Sequence, residues 1–342
     1  MPNDWRVYQG RSRLTQSPMP EATEETGDPL ARLPEPPPWR RFGTVNRDRS
    51  QGLVFQPDDR LVEVVNMALY LRRPLLITGK PGSGKSSLAR AIATELELPL
   101  LKWPITTRST LQEGLYSYDV VRRLEDAQIY GRAAGPGEAL PDAVRLIGRY
   151  LKLGPLGTAM LPAERPPVLL IDEIDKSDID LPNDLLNILE EGEFEIREIR
   201  RHQGLLGGAP VEVETSDSAR PTATIPDDGR VRCTQFPIIV MTSNGERDFP
   251  PAFLRRCLRH SIPQPDAALL KQIVAAHLGQ QVADAQVAQI EGFVARRRKA
   301  NDQLATDQLL NLIYLLTREV ELSQAQTEQI LGTLLQSLEE GA

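Results

Sequence analysis

Eight consecutive residues, Gly79-Lys80-Pro81-Gly82-Ser83-Gly84-Lys85-Ser86, restrict this chain more than any other stretch. They follow an apolar run, Leu75-Leu76-Ile77-Thr78, and precede a segment whose Leu88, Ala89, Ile92, Ala93 and Leu96 recur at helical spacing. Strand, glycine turn and helix in that order make the full Walker A pattern of a phosphate-binding loop. The glycines let successive backbone N–H groups turn inward onto phosphate oxygens, and the helix start adds the positive end of its dipole. The candidate nucleotide-binding residues are therefore Gly79, Pro81, Gly82, Ser83, Gly84, Lys85, Ser86 and Ser87. Lys85 is expected at the β- and γ-phosphates and Ser86 at a magnesium ion.

Two later apolar runs end in polar residues suited to the same ligand. Val168-Leu169-Leu170-Ile171 closes on Asp172-Glu173, the form in which a Walker B segment brings charge to the end of a buried sheet. Asp172 is expected in the magnesium coordination shell, so Ser86 and Asp172 are the metal candidates, and Glu173 is expected to polarise a water for in-line attack. Ile238-Ile239-Val240-Met241-Thr242 closes on Ser243-Asn244, whose amide is suited to orienting that water. No Asn-Lys-x-Asp segment is present to read guanine, so ATP with Mg2+ is the expected ligand pair.

Further strand candidates at 100–103 and 258–262 alternate with helical material, which predicts an α/β fold with a parallel sheet covered on both faces. Two stretches read as insertions. One, near 124–165, is rich in glycine and proline around a helical piece at 141–150; the other, near 194–235, alternates, breaks at Asp227-Asp228-Gly229 and resumes, which predicts a β-hairpin. After Pro265 the periodicity is helical throughout, at 267–278, 285–299, 305–319 and 323–338. The expected layout is a disordered extension over 1–50, where eight of the 28 prolines fall before residue 45, then an α/β domain over 51–264 and a smaller helical domain over 265–342.

Composition narrows the partners. A net charge of −7 argues against whole-molecule attraction to nucleic acid, which leaves protein partners as the default. No apolar run approaches the roughly 20 residues a membrane span needs, and no export signal is evident, so the expected location is cytoplasmic. Cys233 and Cys257 have no metal-ligand spacing, and His202, His260 and His277 are scattered without partners. The basic run Arg296 to Lys299 reads as a solvated helix face, and Trp5, Trp39 and Trp103 read as surface, linker and core residues.

Taken together, these segments resemble the MoxR branch of the AAA+ ATPases. The resemblance covers about residues 52–335 and adds the lead-in Phe55-Gln56-Pro57-Asp58 and the run Pro250-Pro251-Ala252-Phe253-Leu254-Arg255-Arg256-Cys257. It implies an AAA+ parallel sheet with a helical lid, ATP hydrolysis in a homo-oligomeric ring, read as a hexamer by analogy, and remodelling of a protein client, in some relatives one with a von Willebrand-type domain. It assigns Asn244 the sensor 1 role and Arg256 the arginine finger that enters a neighbouring subunit's site, with Arg255 a second candidate. It also points to Tyr150, Leu153 and Leu156 as client contacts. The usual sensor 2 arginine is not evident at Leu304-Ala305-Thr306-Asp307-Gln308, which leaves Arg296 or Arg297 as substitutes. An ATPase acting on nucleic acid and a nucleotide-dependent switch in a bacterial conflict or stress system are the competing readings. Lys85→Ala is expected to abolish nucleotide binding, checked by titration with a fluorescent ATP analogue.

Overall fold

A computed structural model describes residues 33–41, 47–133, 146–299, 304–317 and 324–335. The chain divides into two compact units. One is Asp48–Gly79 with Gly84–Pro263; the other is Gln264–Ala342 with Lys80–Ser83 and the chain up to Arg47.

The larger unit is built on five parallel strands, β1 (Leu75–Thr78), β2 (Leu100–Pro104), β5 (Val168–Asp172), β10 (Ile238–Ser243) and β11 (Leu258–Ser261), in the order β11-β1-β10-β5-β2. Strand alternation sorts their side chains into two cores. Leu76, Leu101, Trp103, Leu169, Ile171, Ile239 and Met241 enter one, while Leu75, Ile77, Val168, Leu170 and Val240 enter the other. Burial on both faces explains why β1, β5 and β10 read as continuous apolar runs, whereas edge strand β2 leaves Lys102 exposed.

The second core is covered by two helices that follow α1 (Arg47–Leu53). These are α2 (Asp59–Leu71), through Leu61 and Ala68, and α3 (Lys85–Glu95), through Leu88, Ala89, Ile92 and Ala93. Asp58 caps α2 by accepting the Leu61 N–H at 2.7 Å.

The first core is covered by inserted material. After α4 (Leu111–Leu115) come β3 (Tyr116–Tyr118), α5 (Val120–Ala133), β4 (Leu151–Leu153) and α6 (Pro155–Ala159). After β5 come α7 (Leu181–Glu191), β6 (Glu193–Glu195), the short α8 (Arg197–Arg201) and α9 (Gln203–Leu206), β7 (Val211–Asp217), β8 (Arg220–Ile225) and β9 (Arg230–Arg232). Strands from both insertions join one sheet of order β3-β4-β7-β8, in which Lys152 of β4 pairs with Glu214 of β7. The predicted hairpin is therefore real but its turn is elsewhere. It lies between Asp217 and Arg220, while the Asp227-Asp228-Gly229 break leads into β9, which pairs with β6. Most of the helical piece expected at 141–150 lies outside the described residues; its end, Ile147–Tyr150, is a 3₁₀ turn.

The insert sheet also corrects the expected client contacts. Tyr150, Leu153 and Leu156 are buried, and the Tyr150 hydroxyl donates to Asp126 at 3.0 Å. Leu153 alternates with exposed Lys152 along β4, and Tyr150 and Leu156 are buried in the flanking 3₁₀ turn and α6, so all three are core.

In the smaller unit, α11 (Ala267–Leu278), α12 (Gln280–Ala285), α13 (Val287–Lys299), α14 (Thr306–Leu316) and α15 (Gln324–Leu334) follow α10 (Pro251–Arg256) of the larger one. Its core is Leu270, Val274, Ala283, Ile290, Phe293, Leu304, Leu309, Leu310 and Ile313. Gly279, at φ 98°, separates α12 from α11, and α12 fills the gap between the periodic runs 267–278 and 285–299. Residues Leu33 to Arg41 fall within the extension expected to be disordered, yet Trp39 packs here. Its indole stands edge-on to His277 and Tyr314 at 5.9 and 5.7 Å, and its N–H donates to Asn311 at 3.0 Å. Buried Arg297 likewise departs from the solvated-face reading, donating to the Pro265 carbonyl at 2.5 Å and lying over Phe293. No described helix is long and apolar enough to cross a membrane.

Close backbone approach makes one glycine a sharp probe of the insert sheet. A Cβ on Gly148 would stand 1.9 Å from the Glu212 carbonyl oxygen on β7, whereas one on Gly204 would meet nothing within 4 Å. Gly148→Ala is expected to cost about 1–3 kcal/mol in chemical denaturation, and Gly204→Ala to stay within about 0.5 kcal/mol of wild type.

Candidate functional site

The carboxyl ends of three adjacent parallel strands are aligned. Thr78 of β1 pairs with Ser243 of β10, and Met241 of β10 pairs with Ile171 of β5, so the turns that follow all three leave from the same edge. In open parallel sheets this edge is where ligands bind.

The turn after β1 carries the glycine-rich loop. Gly79, Gly82 and Gly84 stand at φ 155°, 74° and 90°, conformations that favour glycine. Gly84 caps α3, an eleven-residue helix, without any side-chain hydrogen bond, and a helix start of this kind suits an anionic ligand. Lys85 is buried and its Nζ donates to the Gly79 carbonyl at 2.8 Å across the loop. Burial pushes its ammonium below the usual lysine range, while the Asp175, Asp172 and Glu173 carboxylates oppose that shift. Ser83 has a buried hydroxyl with no hydrogen-bond partner among the described residues, an orphan that a phosphate oxygen would satisfy. Pro81 is exposed at the loop tip, and Ser87 donates its N–H to the Gly84 carbonyl at 3.0 Å. The tip, Lys80–Ser83, groups with the helical unit. A Cβ on Gly82 would lie 2.7 Å from that of Ala305, within the stretch where a sensor 2 arginine was sought.

Asp172 joins the loop to the other strands. Its Oδ1 accepts from the Ser86 hydroxyl at 2.6 Å and from the Thr242 hydroxyl at 2.7 Å. Thr242 also accepts the Glu173 N–H at 2.8 Å. That bond holds Glu173 at φ 61° and ψ 48°, a left-handed conformation costing a non-glycine residue about 1–2 kcal/mol. The strain turns the residue after Asp172 sharply out of the strand. The Glu173 carboxylate is ion-paired with Lys176 at 2.7 Å, and both side chains are about two-fifths exposed (41 and 42%). The carboxylate raises the Lys176 ammonium above its usual range, but a pair so open to water is worth about 0.2–1 kcal/mol and exchanges readily.

Asn244 follows β10 directly. Its N–H donates to Asp175 Oδ2 at 2.9 Å, and its side-chain amide makes a long 3.4 Å contact with Glu246. The two candidate finger arginines end α10. Arg256 is ion-paired with Glu190 of α7, which raises the guanidinium's pKa and lowers that of the carboxylate; Arg255 is exposed, with a 3.4 Å bond to the Pro251 carbonyl of its own helix. Arg73 donates to the carbonyls of both and holds the end of α10. Of the sensor 2 substitutes, Arg297 is committed to the core of the helical unit and Arg296 is exposed on α13.

Three residues of this constellation were not singled out from the sequence: Thr242, Asp175 and Lys176. The run Asp172-Glu173-Ile174-Asp175-Lys176 contained the signal, since four charged residues in five at the end of a buried strand need partners. Ser86 and Asp172 present hard oxygen ligands side by side, which suits magnesium. That ion takes one or two carboxylates and completes its shell with water and phosphate.

The AAA domain family, dynein-related subfamily, matches residues 74–257. Among curated proteins, the probable mitochondrial chaperone BCS1-A of Dictyostelium discoideum is 38% identical over 76 residues, covering 18% of this chain and 18% of that protein. The matched region thus spans under a fifth of that relative.

Thr242→Val removes a fully buried hydroxyl at constant shape and leaves the Glu173 N–H and one Asp172 acceptor site unpaired. A loss of about 1–3 kcal/mol is expected in denaturant unfolding, with weakened magnesium dependence of nucleotide affinity in the same variant.

Proposed function

The chain belongs to the AAA domain family, dynein-related subfamily, and from that premise we propose that it is a MoxR-like ATPase that hydrolyses ATP in a homo-oligomeric ring to remodel a protein client. The observation that carries the hydrolytic reading is the shared acceptor Asp172 Oδ1, bonded at once to Ser86 of the glycine-rich loop and to Thr242 beside Asn244. It gathers phosphate-binding, metal-binding and water-orienting candidates at one sheet edge.

In this reading the N–H groups of Gly82 to Ser86 and the Lys85 ammonium bind the ATP phosphates, with the uncapped start of α3 adding its dipole. Ser86 and Asp172 would hold magnesium, which when bound supplies Lewis-acid stabilisation of charge on the phosphates. Glu173, released from Lys176, orients and polarises the attacking water, and the Asn244 amide fixes its direction. An arginine of the neighbouring copy, Arg256 or Arg255, stabilises charge in the transition state. Arg256 must exchange Glu190 to do so, whereas among the described residues Arg255 has only a long bond within its own helix to give up.

Support for the MoxR-like assignment comes from the linked segments over 52–335 and from the two insertions, which together form a separate sheet. Support for action on a protein comes from the net charge of −7 and the chaperone name of the partial relative.

Light-scattering mass with ATP, measured beside phosphate release, tests this. Glu173→Gln is expected to keep ATP binding, assemble and lose at least about 100-fold in turnover, by analogy with loss of one water-positioning group. Alanine at the finger position is expected to stop hydrolysis with ATP affinity unchanged, and comparison of Arg255→Ala with Arg256→Ala identifies which arginine acts. A monomer hydrolysing at the same specific rate at every concentration would remove the ring from this proposal.

A further inference from the structure

Asp175 is 3% exposed and lies in the 3₁₀ turn Ile174–Lys176 that leaves β5. Its Oδ2 accepts two backbone donors from the turn that leaves β10, the N–H of Asn244 at 2.9 Å and that of Glu246 at 3.1 Å. Two charge-assisted bonds to successive parts of one turn fix its path, because each rewards a single separation and direction. Its Oδ1 is buried without a hydrogen-bond partner among the described residues, so the carboxylate bears a desolvation cost that packing alone does not require. Costly buried polar groups with one oxygen doubly bonded are kept where they specify a geometry.

The geometry specified is between two turns. Glu173 stands two residues before Asp175 on one, held by the Thr242 bond, and Asn244 is on the other. We propose that Asp175 is a positioning residue for hydrolysis: by clamping the Asn244 and Glu246 backbone to the turn after β5, it sets the Asn244 amide in register with the Glu173 carboxylate. This rests on the hydrolytic reading above. Asp175 touches no phosphate in it and acts through Asn244. The proximity of its charge to Lys85 is a second, separable influence, since that interaction needs the negative charge whereas the clamp needs only an acceptor oxygen.

The separation defines the test. Asp175→Asn keeps an acceptor oxygen where Oδ2 stands but removes the charge; Asp175→Ala removes both. With the full chain, Asp175→Ala is expected to lower kcat by 10-fold or more while KM for ATP and the Kd for ADP stay within about 3-fold, and Asp175→Asn is expected to recover most of the lost kcat. Equal loss in both variants, or unchanged kcat in Asp175→Ala, overturns the clamp. So does a fall in nucleotide affinity matching the fall in kcat, which marks Asp175 as a support of the Lys85 loop. Amide hydrogen exchange, read at Asn244 and Glu246, needs no activity. It is expected to quicken by 10-fold or more in Asp175→Ala and little in Asp175→Asn, with amides inside β10 unchanged, and unaltered exchange overturns the proposal. A wild-type chain without ATPase activity would remove the hydrolytic reading and with it the catalytic half of the proposal, whatever the exchange result.

Discussion

One carboxylate oxygen, Asp172 Oδ1, connects the three central turns of this molecule. Ser86 reaches it from the loop after β1 and Thr242 from the end of β10, while Asp172 itself closes β5. The bonds form because the sheet is buried on both faces, so polar groups at its carboxyl end find partners only along that end. Glu173 is a consequence of the same junction. The Thr242 hydroxyl that donates to Asp172 also accepts the Glu173 N–H, and the left-handed turn it stabilises carries the Glu173 side chain away from the strand.

The ionic contacts around this junction separate by burial. Glu173–Lys176 and Arg256–Glu190 are open to solvent, where water screens attraction and side-chain freedom opposes it, so both suit groups that must change partners. Asp175 is buried and accepts from backbone N–H groups, contacts that hold shape. Glu173 and Arg256 thus sit in exchangeable pairs, whereas Asp175 is fixed.

The insertions show how far a local pattern reaches. Glycine and proline density marks 124–165, and alternation marks 194–235, as two insertions, but neither pattern shows that they pair with each other. Joined through Lys152 and Glu214, they form one sheet whose inner side includes Leu151, Leu153, Val211 and Val213. A three-residue strand gives too short an alternation to tell which side is covered, so nothing in the local pattern opposed the client-contact role that the resemblance gave Leu153, a residue of the interior. Trp39 was hidden for a related reason. Its neighbours are prolines and arginines, and its partners, His277, Asn311 and Tyr314, lie over 230 residues away in sequence.

By itself the sequence determined the phosphate-binding loop, the parallel sheet and the helical C-terminal unit, because each follows from glycine conformational freedom or from hydrophobic periodicity within a dozen residues. It also determined which residues end the central strands, and so the candidates Asp172, Glu173 and Asn244. Only the tertiary structure decided what those residues bond to. The roles of Thr242 as a bridge, Asp175 as a two-fold acceptor and Glu190 as the partner of Arg256 depend on strand order and register, which bring positions some 70 residues apart to within 3 Å. Hydrogen bonds require that alignment, and a one-dimensional pattern of charge and apolarity carries no record of it.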